Sequence, residues 1–152
     1  MFDPSRGYPS VVPYHRYSEP EVGIRWFTDV LGAAEVLRLT TPDGRVGHAE
    51  FLLGSSVLSL GLALTSPPAV LPHENRYTLR HMTLVFVADV DAVVDRAAAA
   101  GGSVVDAPTD QPWGLRQAIV RDPEGYLWEP AQHLRDVEVE TWGAQLLGPL
   151  PG

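Results

Sequence analysis

Two side chains between Asp110 and Glu129 have types and settings suited to chemistry. Trp113 stands between Pro112 and Gly114, in a loop rather than a strand. A large ring there either docks on a core or meets a ligand, and an indole offers a wide flat face at little entropic cost. Glu129 closes the apolar run Tyr126-Leu127-Trp128-Glu129, where a carboxylate is costly unless partnered. A carboxylate so placed could help hold a metal, accept a ligand's hydrogen bond or act as a general base. Other chemistries are excluded. There is no cysteine, which removes disulfides, thiolate metal sites and cysteine nucleophiles. There is no lysine, which removes Schiff-base catalysis. Gly54-Ser55-Ser56 joins two strands and is no nucleophile elbow. Gly101-Gly102 follows a helix and is no phosphate loop.

The elements that must position these residues read off the hydrophobic pattern. Val11–Tyr17 is strand-like, with Pro13 marking an edge or a strand start. Ser18-Glu19-Pro20-Glu21 has the form of a capping box, with Ser18 as N-cap and Glu21 reaching back. The helix it opens runs to Leu31, with Val22, Trp26, Phe27, Val30 and Leu31 on one face, and Gly32 stops it. Strands follow at Ala34–Thr40, Val46–Leu53 and Val57–Ala63, separated by turns at Pro42-Asp43-Gly44 and Gly54-Ser55-Ser56. Residues 64–78, with Pro67, Pro68 and Pro72, read as a linker.

The pattern then repeats. Leu79–Val87 is strand-like, and Asp89 caps a helix from Val90 to Ala100. A short strand at Ser103–Asp106 precedes the Trp113 loop. Leu115–Arg121 and Tyr126–Glu129 form a hairpin around Asp122-Pro123-Glu124-Gly125, in which Pro123 presets φ and Gly125 supplies positive φ. The order is βαβββ, linker, βαβββ: one domain over residues 1–152, with modules at about 11–63 and 79–133 and a tail at 134–152.

The formal net charge of −8 disfavours nucleic acid, whose readers carry a basic face; it serves solubility in the first place and would also attract cationic small molecules. No apolar run is long enough to span a bilayer, and the start Met1-Phe2-Asp3-Pro4 lacks the basic and apolar parts of a signal peptide. With the absence of cysteine, this points to a soluble cytoplasmic protein.

Trp26-Phe27-Thr28-Asp29-Val30-Leu31-Gly32 at the end of the first helix, and Asp122-Pro123-Glu124-Gly125 in the last hairpin, give the repeat a resemblance to the vicinal oxygen chelate superfamily. Glyoxalase I, fosfomycin and bleomycin resistance proteins and extradiol dioxygenases belong to it. The resemblance covers about residues 11–133. Gln111-Pro112-Trp113-Gly114 with Arg121-Asp122-Pro123 is most similar to the bleomycin resistance branch. Pro42-Asp43-Gly44-Arg45-Val46 with His48-Ala49-Glu50 resembles a second branch. The resemblance implies an α+β fold: two βαβββ modules whose mixed sheet curls into a cup, helices outside, in a homodimer.

Metal-using members place four ligands on the first and last strands of the modules. Matching by the helix and turn landmarks gives Val12, Ser59, His81 and Glu129. Only His81 and Glu129 can bind a metal, and a catalytic site needs three protein ligands. The metal-free reading is therefore preferred: no cofactor, with His81 and Glu129 paired to each other or to a polar ligand group. His15 is an odd number of residues from Val12 and faces away, while His48 is conceivable as a further ligand.

The resemblance also makes Trp113 a stacking surface for an aromatic ligand. Parity with the metal positions puts Tyr14, Arg16, Ser59, Gly61 and Thr83 in the cup, and the small side chains of Ser59 and Gly61 leave room there. The expectation is a protein that binds an aromatic or cationic antibiotic or natural product and confers resistance by sequestration, with no catalytic residue. The alternatives are a metal-dependent glyoxalase, dioxygenase or thiol transferase on His81 and Glu129, and a metal-free biosynthetic enzyme using the same pair.

Overall fold

The computed structural model describes residues 7–63, 81–145 and 147. The strands are β1 (Tyr14–Tyr17), β2 (Ala34–Thr40), β3 (Val46–Leu53), β4 (Ser56–Leu62), β5 (Thr83–Phe86), β6 (Ser103–Asp110), β7 (Leu115–Arg121) and β8 (Leu127–His133). They form two four-stranded mixed sheets, β1-β4-β3-β2 (sheet A) and β5-β8-β7-β6 (sheet B), which do not close into one. In each, the outer pair β1/β4 or β5/β8 is parallel and the remaining pairs are antiparallel. The identical strand order is the structural form of the sequence repeat. The linker read at 64–78 and the strand start at Leu79 and Arg80 lie outside the described residues.

Several boundaries differ from the sequence reading, each for a local reason. β1 starts after Pro13, which has no N–H to give a ladder. β6 runs to Asp110, through Pro108, because two register shifts on this edge strand absorb the missing donor. β8 continues to His133, so Glu129 lies mid-strand rather than at its end. The first helix, α1, is α-helical over Pro20–Arg25 and then widens over Trp26–Val30, where Leu31 N–H bonds to Trp26 C=O across five residues. The second, α2 (Val90–Ala99), has the expected cap: Asp89 accepts from Ala92 N–H at 3.0 Å.

The capping box at Ser18 does not form. No side chain at the start of α1 caps it. Glu124, from the β7–β8 turn, instead holds the residues just ahead of the helix. Its Oε2 accepts from Ser18 N–H at 2.8 Å, and its Oε1 accepts from Glu19 N–H at 2.7 Å and from the Ser18 hydroxyl at 2.9 Å. A carboxylate is a stronger acceptor than a serine hydroxyl and complements the positive end of the helix, so it displaces the local solution.

A single core lies on the helix-bearing face of both sheets, with Trp26, Phe27, Tyr17, Trp128, Val90 and Val93 buried together. Polar groups fix how the modules meet inside it. Tyr17 O–H donates to Asp122 Oδ2 at 2.6 Å, and Trp128 Nε1–H donates to the same oxygen at 3.3 Å. Tyr126 O–H donates to Arg16 C=O at 2.7 Å and accepts from Arg16 N–H at 3.0 Å. No described helix is long and apolar enough to cross a membrane.

Candidate functional site

Among the described residues, both helices pack on the core side of the sheets, and the site residues are divided between the two opposite faces. On sheet B the site starts from the turn joining β6 to β7. Gly114 N–H bonds to Gln111 C=O at 3.1 Å, and Gly114 takes φ +85°, a conformation that disfavours any other residue. This turn lifts Trp113 out of the ladder and leaves it 39% exposed. The ring is nonetheless fixed. Its Nε1–H donates to Gln117 Oε1 at 2.8 Å, and Gln117 Nε2–H donates to Glu129 Oε1 at 2.7 Å. The two residues that stand out in the sequence are thus ends of one relay, and Gln117, which sequence reasoning passed over, is its middle.

The C-terminal tail supports the same corner. Leu134 and Arg135 N–H both bond to Gly114 C=O, at 2.9 and 3.3 Å. A Cβ on Gly114 would collide with Arg135 C=O, so glycine is needed for this approach as well as for φ. The tail carries Trp142 against Trp113 edge-on, ring centroids 5.9 Å apart and planes at 62°. Beside Gln117 and Glu129 lies a pocket of about 290 Å³, also lined by Asp106, Thr109, Gln111 and Ile119. Burial holds the Glu129 carboxyl above the ordinary carboxylate range. A larger groove of about 600 Å³ runs between Val11, Pro13 and Val57 on one side and Leu84 and Phe86 on the other. It has no charged side chain to orient a ligand, whereas the smaller pocket has the acid and amide such recognition requires.

His81 and Glu129 are not brought together. His81 is exposed and precedes β5, while the cross-strand partner of Glu129 is Leu84. His81 lies instead near His15, whose protonation it disfavours. Thr83 is paired with buried Trp128 and turns toward His15, its Oγ1 at 3.4 Å from His15 Nε2, so it faces away from Glu129. His133 contacts Asp136 at 2.9 Å. Val12 precedes β1. Among the described residues, no three histidine or acidic side chains converge as a metal site requires. Of the positions that match family ligands, Val12 and His81 thus lie outside the strands, ahead of β1 and β5. His73 lies outside the described residues.

On sheet A the parity expectation gathers four residues correctly. Tyr14 pairs with Ser59 and Arg16 with Gly61, so all four share the open face. The room expected above Gly61 is already filled, however, because a Cβ there would meet the Tyr14 hydroxyl and ring. The same face carries two residues from β3, since His48 pairs with Gly61 and Glu50 with Ser59. Tyr14 stacks on His48, centroids 5.7 Å apart at 19°, with its hydroxyl 3.4 Å from Nδ1. His48 Nε2 lies 3.0 Å from Glu50 Oε1. The signal for Glu50 was available: it is an acid inside the apolar run Glu50-Phe51-Leu52-Leu53, the argument already made for Glu129. Among the described residues, no hydrogen bond or ring contact joins Tyr14, His48 or Glu50 to Trp113, Gln117 or Glu129.

A sequence profile of the Glyoxalase/Bleomycin resistance protein/Dioxygenase superfamily matches residues 16–129. An uncharacterized protein of Mycobacterium tuberculosis is 30% identical over 137 residues, covering 87% of this chain and 79% of that protein. Among solved structures, TioX from Micromonospora sp. ML1 is similar at 32% identity and a TM-score of 0.63, over 83% of this chain and 99% of that one. TnmS3, an antibiotic binding protein from Streptomyces sp. CB03234, is similar at 25% identity and a TM-score of 0.55, over 83% of this chain and 99% of that one.

Proposed function

Because the chain belongs to the glyoxalase/bleomycin resistance protein/dioxygenase superfamily, we propose that it binds a small molecule, an antibiotic or natural product with a flat aromatic part, and sequesters it without chemistry. The observation that carries this reading is the Trp113 corner. An exposed indole is held rigid by Gln117 and Trp142 at the edge of a pocket with an amide and a carboxylate in its wall. Such a surface stacks on planar ligands with little ordering cost. The similarity to TnmS3, which binds an antibiotic, supports the reading.

The test is tryptophan fluorescence during titration with planar aromatic antibiotics. Trp26 and Trp128 are buried, so quenching reports Trp113 and Trp142. Trp113→Ala is expected to weaken binding by about 30-fold, roughly 2 kcal/mol, the loss of an aromatic anchor. Unchanged affinity in that variant, or no quenching by any such compound, would remove the assignment. Recovery of a chemically altered compound would favour a second reading, a metal-free acid–base enzyme. The raised proton affinity of Glu129 is the observation in its favour.

The same reading includes a homodimer, in which a second copy covers the open faces and completes the cleft. Exposed Leu84 and Phe86 beside Glu129 support it, since apolar side chains on an open sheet face call for cover. Sedimentation at micromolar concentration is expected to show a dimer, and a monomer there would remove this part of the proposal.

A further inference from the structure

Sheet A carries a group that the Trp113 corner does not use. Glu50 sits at the centre of the open face, flanked in register by Leu37 on β2 and Ser59 on β4, and is only 4% exposed. Its Oε1 is well supplied: it accepts from the Tyr8 hydroxyl at 2.8 Å and lies 3.0 Å from His48 Nε2. Its Oε2 is buried and has no partner among the described residues. A buried acceptor in that state is costly, more so on an ionised group. We propose that Glu50 is a recognition residue for a nitrogen cation, and that the open face of sheet A takes the protonated-amine part of a ligand.

Three features point to a cation. A carboxylate accepts and does not donate, so an anion or a carbonyl cannot satisfy Oε2. The Tyr8 phenol on Oε1 is a neutral donor and brings no cation to the carboxylate. The strand cations do not reach it: Arg38 lies on the opposite face, paired with Ala49 and bonded to Glu35, and Arg16 stands one pair further along, opposite Gly61. A protonated amine would form a charge-assisted bond, about twice as strong as a neutral one. The Tyr14–His48 stack gives a flat wall next to the carboxylate for whatever carries the amine. Tyr8 belongs to a segment preceding β1 that has no helix or strand, and its hydroxyl marks where a donor reaches Glu50. The inference rests on the small-molecule reading only in assigning the amine to that ligand.

The test uses benzylammonium and benzyl alcohol, which share a ring and differ in charge, followed by the imidazole NMR signals of His48 near neutral pH. Benzylammonium is expected to bind at least about tenfold more tightly than the alcohol. Glu50→Gln should weaken the amine by about tenfold and erase the preference, while melting at or above the parent, since it removes a buried charge. Equal binding of the two probes, no saturable binding of benzylammonium, or a preference that survives Glu50→Gln would overturn the proposal. A clear fall in the melting temperature of Glu50→Gln would make the residue a structural group and overturn it too. If amine selectivity holds while planar antibiotics fail to quench Trp113, the sequestration reading falls and the Glu50 site stands.

Discussion

Replacing Asp122 with alanine is expected to lower the unfolding free energy by about 3–5 kcal/mol. Asp122 is 3% exposed and serves four donors. Its Oδ1 accepts from the backbone N–H groups of Glu124 and Tyr126, both at 3.0 Å, which sets the turn. Its Oδ2 accepts from Tyr17 O–H and Trp128 Nε1–H, which ties that turn to the first module. Alanine would leave a buried phenol and indole without acceptors and free the turn that presents Glu124 to α1. Asn keeps one acceptor oxygen but turns an NH₂ toward two donors, so Asp122→Asn should lie between the parent and the alanine variant. Urea unfolding of the three proteins measures this. A loss under about 1 kcal/mol for Asp122→Ala would mean water replaces the carboxylate and the clamp contributes little.

Acid is expected to destabilise the protein through His15, by about 2.5 kcal/mol between pH 7 and pH 4.5. Its ring is 3% exposed, stacked on Trp128 at 4.7 Å and met edge-on by Tyr126 and Phe27. Its Nδ1 has no partner among the described residues, and burial together with His81 lowers its pKa from 6.5 to about 4. The folded state thus binds this proton more weakly than the unfolded chain. The stability His15 contributes is complete above pH 6.5 and is lost as pH falls toward 4. Asp122 acts in the opposite sense. Burial raises its pKa despite its donors, so its contribution is present at low pH and declines as pH rises through the folded value. It offsets part of the loss. Comparing His15→Phe with the parent isolates the histidine, since Asp122 is common to both. The variant should lose about 2.5 kcal/mol less over the same interval, and parallel pH profiles would rule the histidine out.

Much of the fold was legible because it rests on local pattern. The turn-bounded run Val46–Leu53, the helical spacing of Val90, Val93, Val94 and Ala97, and the Asp-Pro-x-Gly turn each specify an element with little tertiary help. The start of α1 was not legible, because Ser18 and Glu21 satisfy a local rule that Glu124 overrides from 105–106 residues away. The candidate site divides in the same way. Trp113 and Glu129 stand out by being a ring in a loop and an acid in a strand. Their link through Gln117 depends on cross-strand placement, which one strand alone does not reveal. The expected pairing of His81 with Glu129 assumed that β5 extends through His81. The strand begins at Thr83, and its pairing sets Leu84 opposite Glu129.

The carboxylate of Glu124 on Ser18 and Glu19 also bears on how the molecule opens. Ser18 and Glu19 stand just ahead of the first helix, and their N–H groups are bonded by a side chain from the second module. The amide protons of Ser18 and Glu19 therefore stay shielded from solvent exchange for as long as the 122–125 turn is docked. Fraying at the start of the first helix and release of the 122–125 turn are thereby coupled, so the unit that opens there spans both modules.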